Sequence, residues 1–221
     1  MTVRIGFVHA LRDSMRPCDA ALTSIWPRAE AAHLLDGSLY LDRSRGNASE
    51  EVIAARVAAL VRHSASCGTA GILFTGSFFG AQVEAVRPSL DIPILTSFDG
   101  LVREACEAGR RFHVLATAPS SVDLLRDDLG REAVRRGIEI EVTGAVVEGG
   151  MDALQKGDHG RHVTLIANAA ARAPACDAVL LAQFSMAPAR EASAVAAPAP
   201  VMTAPEAGVR RLRSMLGAAR A

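Results

Sequence analysis

Shifted against itself by 107 positions, the chain lays Ile72-Leu73-Phe74-Thr75-Gly76-Ser77 over Val179-Leu180-Leu181-Ala182-Gln183-Phe184. The same shift sets Glu84-Ala85 over Glu191-Ala192, Pro93 over Pro200, Thr96 over Thr203 and Val102-Arg103 over Val209-Arg210. A neighbouring offset of 108 sets His9 over Thr117. Coincidences at one spacing within like-patterned segments are the mark of a duplicated βα unit. A chain of 221 residues is long enough for two such copies, each with its own core.

The patterning between these anchors alternates short apolar runs with helical periodicity. Strands are predicted at Val3–Val8, Ala31–Leu35, Gly71–Thr75, Ile92–Leu95, Phe112–Ala116, Ile138–Val142, Ala178–Ala182 and Pro200–Met202. Amphipathic helices are predicted at Glu50–His63, Asp99–Gly109, Ser121–Arg136 and Asp158–Ala173, with Asp99 and Asp158 as N-caps and Gly109 and Gly137 as stops. Apolar strands alternating with helices predict an α/β fold with parallel sheets covered on both faces. The expected architecture is two similar lobes related by a pseudo-two-fold, with a cleft between them. One lobe takes residues 1–97 and a returning helix from 204–221, and the other takes 98–203.

Composition narrows the function classes. The formal net charge is +0, which leaves no field to steer nucleic acid or an anionic membrane. No apolar run reaches the ~18 residues that a membrane span needs. The opening MTVRIGFVHA puts strand-type residues where a signal peptide carries its charged and apolar regions. A cytoplasmic protein is expected. Cys18, Cys67, Cys106 and Cys176 are far apart and lack CxxC spacing, so they read as reduced and mostly buried small residues. Lys156, the single lysine, lies in a polar stretch, against Schiff-base chemistry, which needs a lysine in a closed pocket.

Parallel sheets bind ligands beyond the carboxyl ends of their strands. That rule selects His9-Ala10, Gly76-Ser77-Phe78, Thr117-Ala118 and Gln183-Phe184-Ser185 as the site. The segment Phe74–Gly80 leads from a strand into a helix without a Gly-Lys-Ser/Thr or GxGxxG pattern. Its amides, with the hydroxyls of Thr75 and Ser77, are expected to hold a small carboxylate or phosphate. Ser185 offers a hydroxyl on the duplicated loop, and Thr117 follows a strand end. His159 and His162 share a helix face but lack a third ligand, so they read as a solvated helix start rather than a metal centre.

These residues resemble the aspartate/glutamate/hydantoin racemase superfamily, in a short racemase-like subgroup related to the arylmalonate decarboxylases. Gly71–Gly80 is similar to the first catalytic loop of that family, and Leu180–Ala187 (LLAQFSMA) to the second. FVHA at the start, LLDGS near Leu34–Ser38 and VLATAPSS at Val114–Ser121 fit the same subgroup. The resemblance spans essentially the whole chain. It implies flavodoxin-like lobes, no cofactor, a small carboxylate or hydantoin-like substrate, and a homodimer. It also implies two cysteines acting as an acid–base pair on opposite faces of a planar intermediate. Gly76 stands where the first cysteine is expected and Gln183 where the second is. The expectation is therefore a racemase- or isomerase-type activity at the carbon next to a carboxylate or amide carbonyl, impaired or repurposed. An arylmalonate-decarboxylase-like lyase and a small-carboxylate-binding protein remain open. The decarboxylase branch also carries glycine at the first position, and there Phe78, Phe79, Phe184 and Met186 would supply an apolar pocket. His9 is the expected proton carrier. Thr75, Ser77, Phe78, Thr117, Phe184 and Ser185 are the expected substrate contacts. Gly76→Cys is expected to recover or raise α-proton exchange.

Overall fold

The computed structural model describes residues 2–218. Met1 and residues 219–221, the end of the expected returning helix, lie outside the described residues. The chain divides into two compact units, 1–97 with 208–221 and 98–207.

In the first unit the strands are β1 (Val3–His9), β2 (Ala29–Leu35), β3 (Gly71–Phe74) and β4 (Ile94–Leu95), with helices α1 (Met15–Ile25), α2 (Gly37–Arg45), α3 (Glu50–Ser66) and α4 (Gly80–Val86). The second unit has α5 (Asp99–Ala108), β5 (Arg111–Ala116), α6 (Pro119–Arg136), β6 (Glu141–Val146), α7 (Gly150–Gln155), α8 (His159–Ala170), β7 (Ala178–Leu181), α9 (Arg190–Ala194) and β8 (Val201–Thr203). The last helix, α10 (Ala204–Ala218), begins in the second unit and ends in the first. All sheet pairings are parallel, in the order β2-β1-β3-β4 in one unit and β6-β5-β7-β8 in the other.

The register carries the duplication into three dimensions. Ile5 pairs with Gly71, and 107 positions on, Phe112 pairs with Ala178. Ile72 pairs with Ile94 as Val179 pairs with Val201. Under that register Gly76 corresponds to Gln183, whereas His9 corresponds to Ala116 and Thr75 to Ala182. The 108 offset, which sets His9 on Thr117, is thus one residue out for β1.

Local chemistry accounts for the elements. In α3, Ser49 caps the first turn by accepting from the Val52 amide, and Ile53, Val57, Val61 and Ser64 fall on one buried stripe. The stripe reaches the sheet because β1 carries glycine opposite it. A Cβ on Gly6 would lie 2.3 Å from Ser64 Oγ. In α6, Pro119 occupies the first turn and Gly137 ends the helix in the left-handed region at φ 64°. Asp158 caps α8 as expected, accepting from the Arg161 amide. Asp99 does not cap α5. Phe98 holds that position and Asp99 is the first helical residue, where its charge still complements the helix dipole.

One strand is displaced from its expected place. The alternation Ile138-Glu139-Ile140 suggests a strand over Ile138–Val142, but the observed strand is Glu141–Val146. Arg111 pairs with Glu141, so the ladder with β5 decides the start. The preceding isoleucines form the turn after Gly137, where the Ile138 amide returns to the Ala133 carbonyl. Among the described residues no helix is long and apolar enough to cross a membrane.

Candidate functional site

The carboxyl ends of β1 and β3 bring the first group of expected residues together. His9 ends β1 and is fully buried. Its Nδ1 lies 2.9 Å from Thr75 Oγ1, just past the end of β3. Its Nε2 lies 2.8 Å from Nδ1 of His33 on β2, whose own Nε2 is 2.8 Å from Asp19 Oδ1 on α1. The pleat explains the meeting. Phe7 and His9 share one face of β1, and His33, paired with Phe7 in the ladder, shares that face from β2. The rings of His9 and His33 stack with centroids 5.1 Å apart, and Phe7 backs His33 at 5.4 Å. His33 and Asp19 escape sequence reasoning because a histidine inside the apolar run Ala31–Leu35 reads as filler, and Asp19 reads as a solvated helix residue.

Burial, then the neighbouring His33, holds the imidazolium pKa of His9 down to about 3, from an ordinary 6.5. His9 therefore stays neutral in the folded protein near neutral pH. The unfolded chain takes up that proton from about 6.5 downward, so the contribution of His9 to stability is complete above 6.5 and is lost toward pH 3. The loss runs at up to about 1.4 kcal/mol per pH unit. Urea unfolding at pH 7 and pH 4.5 is expected to show a larger drop for the parent protein than for His9→Gln. Equal drops would remove His9 as the source.

The first loop turns at Gly76 and continues as a 3-10 turn, Ser77–Phe79, before the seven-residue α4. Gly76, Ser77 and Phe78 are half-buried. Phe79 is fully buried, and its ring meets Phe74 edge-on with centroids 5.9 Å apart. Phe79 is therefore core, not pocket wall, and only Phe78 of this pair borders the loop surface, 6.3 Å from Tyr40. The LLDGS segment has a structural explanation. Asp36 accepts from the Ser38 amide at the start of α2 and from Arg56 Nη2 of α3 at 2.7 Å.

The second loop follows β7 with the same turn and different chemistry. Gln183 Oε1 accepts from both the amide and the hydroxyl of Thr117. The donors expected to hold a substrate carboxylate are thus engaged by a side-chain amide. The Ser185 carbonyl and the Gly150 carbonyl both face ring nitrogens of buried His162, which ties the loop to α7 and α8. Phe184 and Met186 are buried. Among the described residues the hydroxyls of Ser77 and Ser185 have no protein partner.

No other thiol stands in at these loops. Cys18 and Cys106 are buried, and burial pushes both pKa values up. Cys67 and Cys176 are exposed and half-buried, a correction to the mostly buried expectation. They precede β3 and β7 and so sit at the amino ends of those strands. No group of three or more His, Cys, Asp or Glu among the described residues is arranged to hold a metal.

The profile of the Asp/Glu/hydantoin racemase family matches residues 12–212. The chain belongs to that family. Solved structures of similar fold include a glutamate racemase of Bacillus anthracis, at 12% identity and TM-score 0.73, covering 98% of this chain and 82% of that one. An aspartate racemase of Picrophilus torridus superposes with TM-score 0.73 at 14% identity, over 97% and 94% of the two chains. An arylmalonate decarboxylase does so with TM-score 0.66 at 17% identity, over 97% and 92%. At these identities the likeness carries the fold. No curated protein matches the sequence. Its two loops carry glycine at 76 and glutamine at 183, and Thr75 meets the imidazole of His9.

Proposed function

We propose that the protein is a cofactor-independent racemase- or isomerase-type enzyme that exchanges the proton on the carbon next to a carboxylate or amide carbonyl of a small acid or hydantoin. In this reading Thr75, backed by His9, handles the proton in place of a thiol. The observation that carries it is the 2.9 Å contact of Thr75 Oγ1 with His9 Nδ1 at the joint carboxyl end of β1 and β3, one residue before Gly76. A hydroxyl alone is a poor base, and an adjacent imidazole is the usual way to activate it. Removing an α-proton leaves charge on the carbonyl oxygen, which needs preplaced donors. The hydroxyl of Ser77, two residues after Thr75, is free to serve.

A decarboxylase-type reading is favoured by one feature, the half-buried Phe78 against Tyr40 beside Gly76. An apolar wall there would desolvate a carboxylate and promote its loss as CO2. Both readings pass through an enolate and differ in what leaves the carbon.

The test is proton NMR in D2O over chiral amino acids, hydantoins and arylmalonates. Loss of the α-proton signal without CO2 release is the expected outcome. CO2 release from an arylmalonate would replace the racemase reading by the lyase one. Binding without either change would leave a carboxylate-binding protein.

A further inference from the structure

In the first unit four side chains stand in single file from the strand ends to the surface: Thr75, His9, His33 and Asp19. Each link uses a different ring nitrogen, at 2.9, 2.8 and 2.8 Å. We infer that this file is a reversible proton relay between the Thr75 hydroxyl and the His33–Asp19 pair, with His9 uncharged throughout. The inference deepens the proposed function and rests on its assignment of Thr75 as the proton-handling hydroxyl.

The direction of each bond follows from the ends. A carboxylate only accepts, so His33 keeps a proton on Nε2 facing Asp19. When His33 is neutral its Nδ1 is an acceptor. His9 then donates from Nε2, and its Nδ1 accepts from the Thr75 hydroxyl. When His33 takes a second proton, Nδ1 becomes a donor. His9 then accepts at Nε2 and donates from Nδ1 to Thr75, whose hydroxyl turns to the Val8 carbonyl 3.4 Å away. The two states differ by one proton and by the sense of every bond between His33 and Thr75.

Catalysis would alternate them. Starting from neutral His33, Thr75 Oγ1 takes a proton from the substrate carbon as its own proton passes to His9 Nδ1. The His9 Nε2 proton passes to His33 Nδ1. The electron pair of the broken C–H bond stays on the substrate as an enolate, and the positive charge ends on His33 beside Asp19. Running the steps backward returns a proton to carbon. The charge thus comes to rest on the outer pair, with side chains 17% and 56% exposed, and not on fully buried His9, where an unpaired charge is costly.

The groups around His33 suit this. Asp19 comes from α1 and His9 from β1, while Phe7 supplies an uncharged ring. Helix α3, which also packs on β2, has Arg56 committed to Asp36 and Asp42, and Glu50 to Arg43. The duplicated unit is an internal control. By register its equivalents of Thr75, His9 and His33 are Ala182, Ala116 and Gly144. A Cβ on Gly144 would meet Val122 Cγ1 at 2.6 Å. The backbone is therefore built without these polar groups in one copy and carries all three, in bonding order, in the other.

Imidazole 15N NMR across pH tests the relay without a substrate. As His33 gains its second proton, His9 is expected to move its single proton from Nε2 to Nδ1 at the same midpoint, staying neutral. In Asp19→Ala, a change at an exposed position, His33 is expected to lose its fixed Nε2 proton. For any substrate the parent exchanges, Asp19→Ala is expected to lower kcat about tenfold with KM unchanged. A His9 proton that stays on one nitrogen throughout the His33 titration overturns the relay, even if α-proton exchange is found. A coupled swap with no exchange over the whole panel sustains the relay and overturns the proposed reaction.

Discussion

Thr75→Val is expected to lower α-proton exchange by about 10²-fold, the lower end of what a positioned proton-transfer group contributes. Valine keeps the shape of threonine and removes the one oxygen that meets His9 Nδ1 at 2.9 Å. Because Thr75 is almost wholly buried, the change also leaves the buried His9 nitrogen without its partner, at a cost of about 1–3 kcal/mol. The two effects separate experimentally. Exchange rates measured well below the unfolding transition report the chemistry, and urea unfolding reports the stability. Thr75→Ser restores the hydroxyl and is expected to recover most of the rate. If valine and serine exchange alike, Thr75 is a packing residue and the thiol-free mechanism fails.

Gly76→Cys is the second large effect, and it falls first on stability. A Cβ at position 76 would lie 2.7 Å from Phe79 Cδ2 and 3.1 Å from Phe74 Cε1. Phe79 is fully buried and cannot swing away cheaply. The backbone at 76, φ −95° and ψ 102°, suits any residue, so replacing glycine there gains about 0.4–1 kcal/mol from the unfolded state. Overpacking costs about 1–3 kcal/mol and wins. A lower urea midpoint for Gly76→Cys is expected, with the loss relieved when Phe79→Leu is added. A thiol at 76 is therefore expected to restore exchange only in the double variant. Full stability and new activity in the single variant would show that Phe79 yields freely and that this account of the glycine is wrong.

The duplication, the parallel α/β order and the loop positions were legible in the chain because strand periodicity, capping residues and a repeated spacing are local signals. The shift relating Ile72–Ser77 to Val179–Phe184 survives as strand register. So does the Asp158 cap, because a side chain three residues from its amide needs no tertiary partner. His9, Thr75 and Gly76 could be placed at strand ends from pattern and resemblance.

Tertiary packing decided the rest. Whether Ile138-Glu139-Ile140 forms strand depends on where β5 offers a partner, not on alternation. Whether Phe79, Phe184 and Met186 line a pocket or fill a core depends on what packs behind them. The file of side chains from Thr75 to Asp19 is the clearest case. Successive members of the file, Thr75, His9, His33 and Asp19, lie 66, 24 and 14 residues apart, on or beside four different elements, so no short window of sequence contains the contacts. His9 has an ordinary histidine's chemistry in the sequence. Only burial, and then the neighbouring His33, lowers its pKa and keeps it neutral, because desolvation is a property of the folded surroundings and not of the residue.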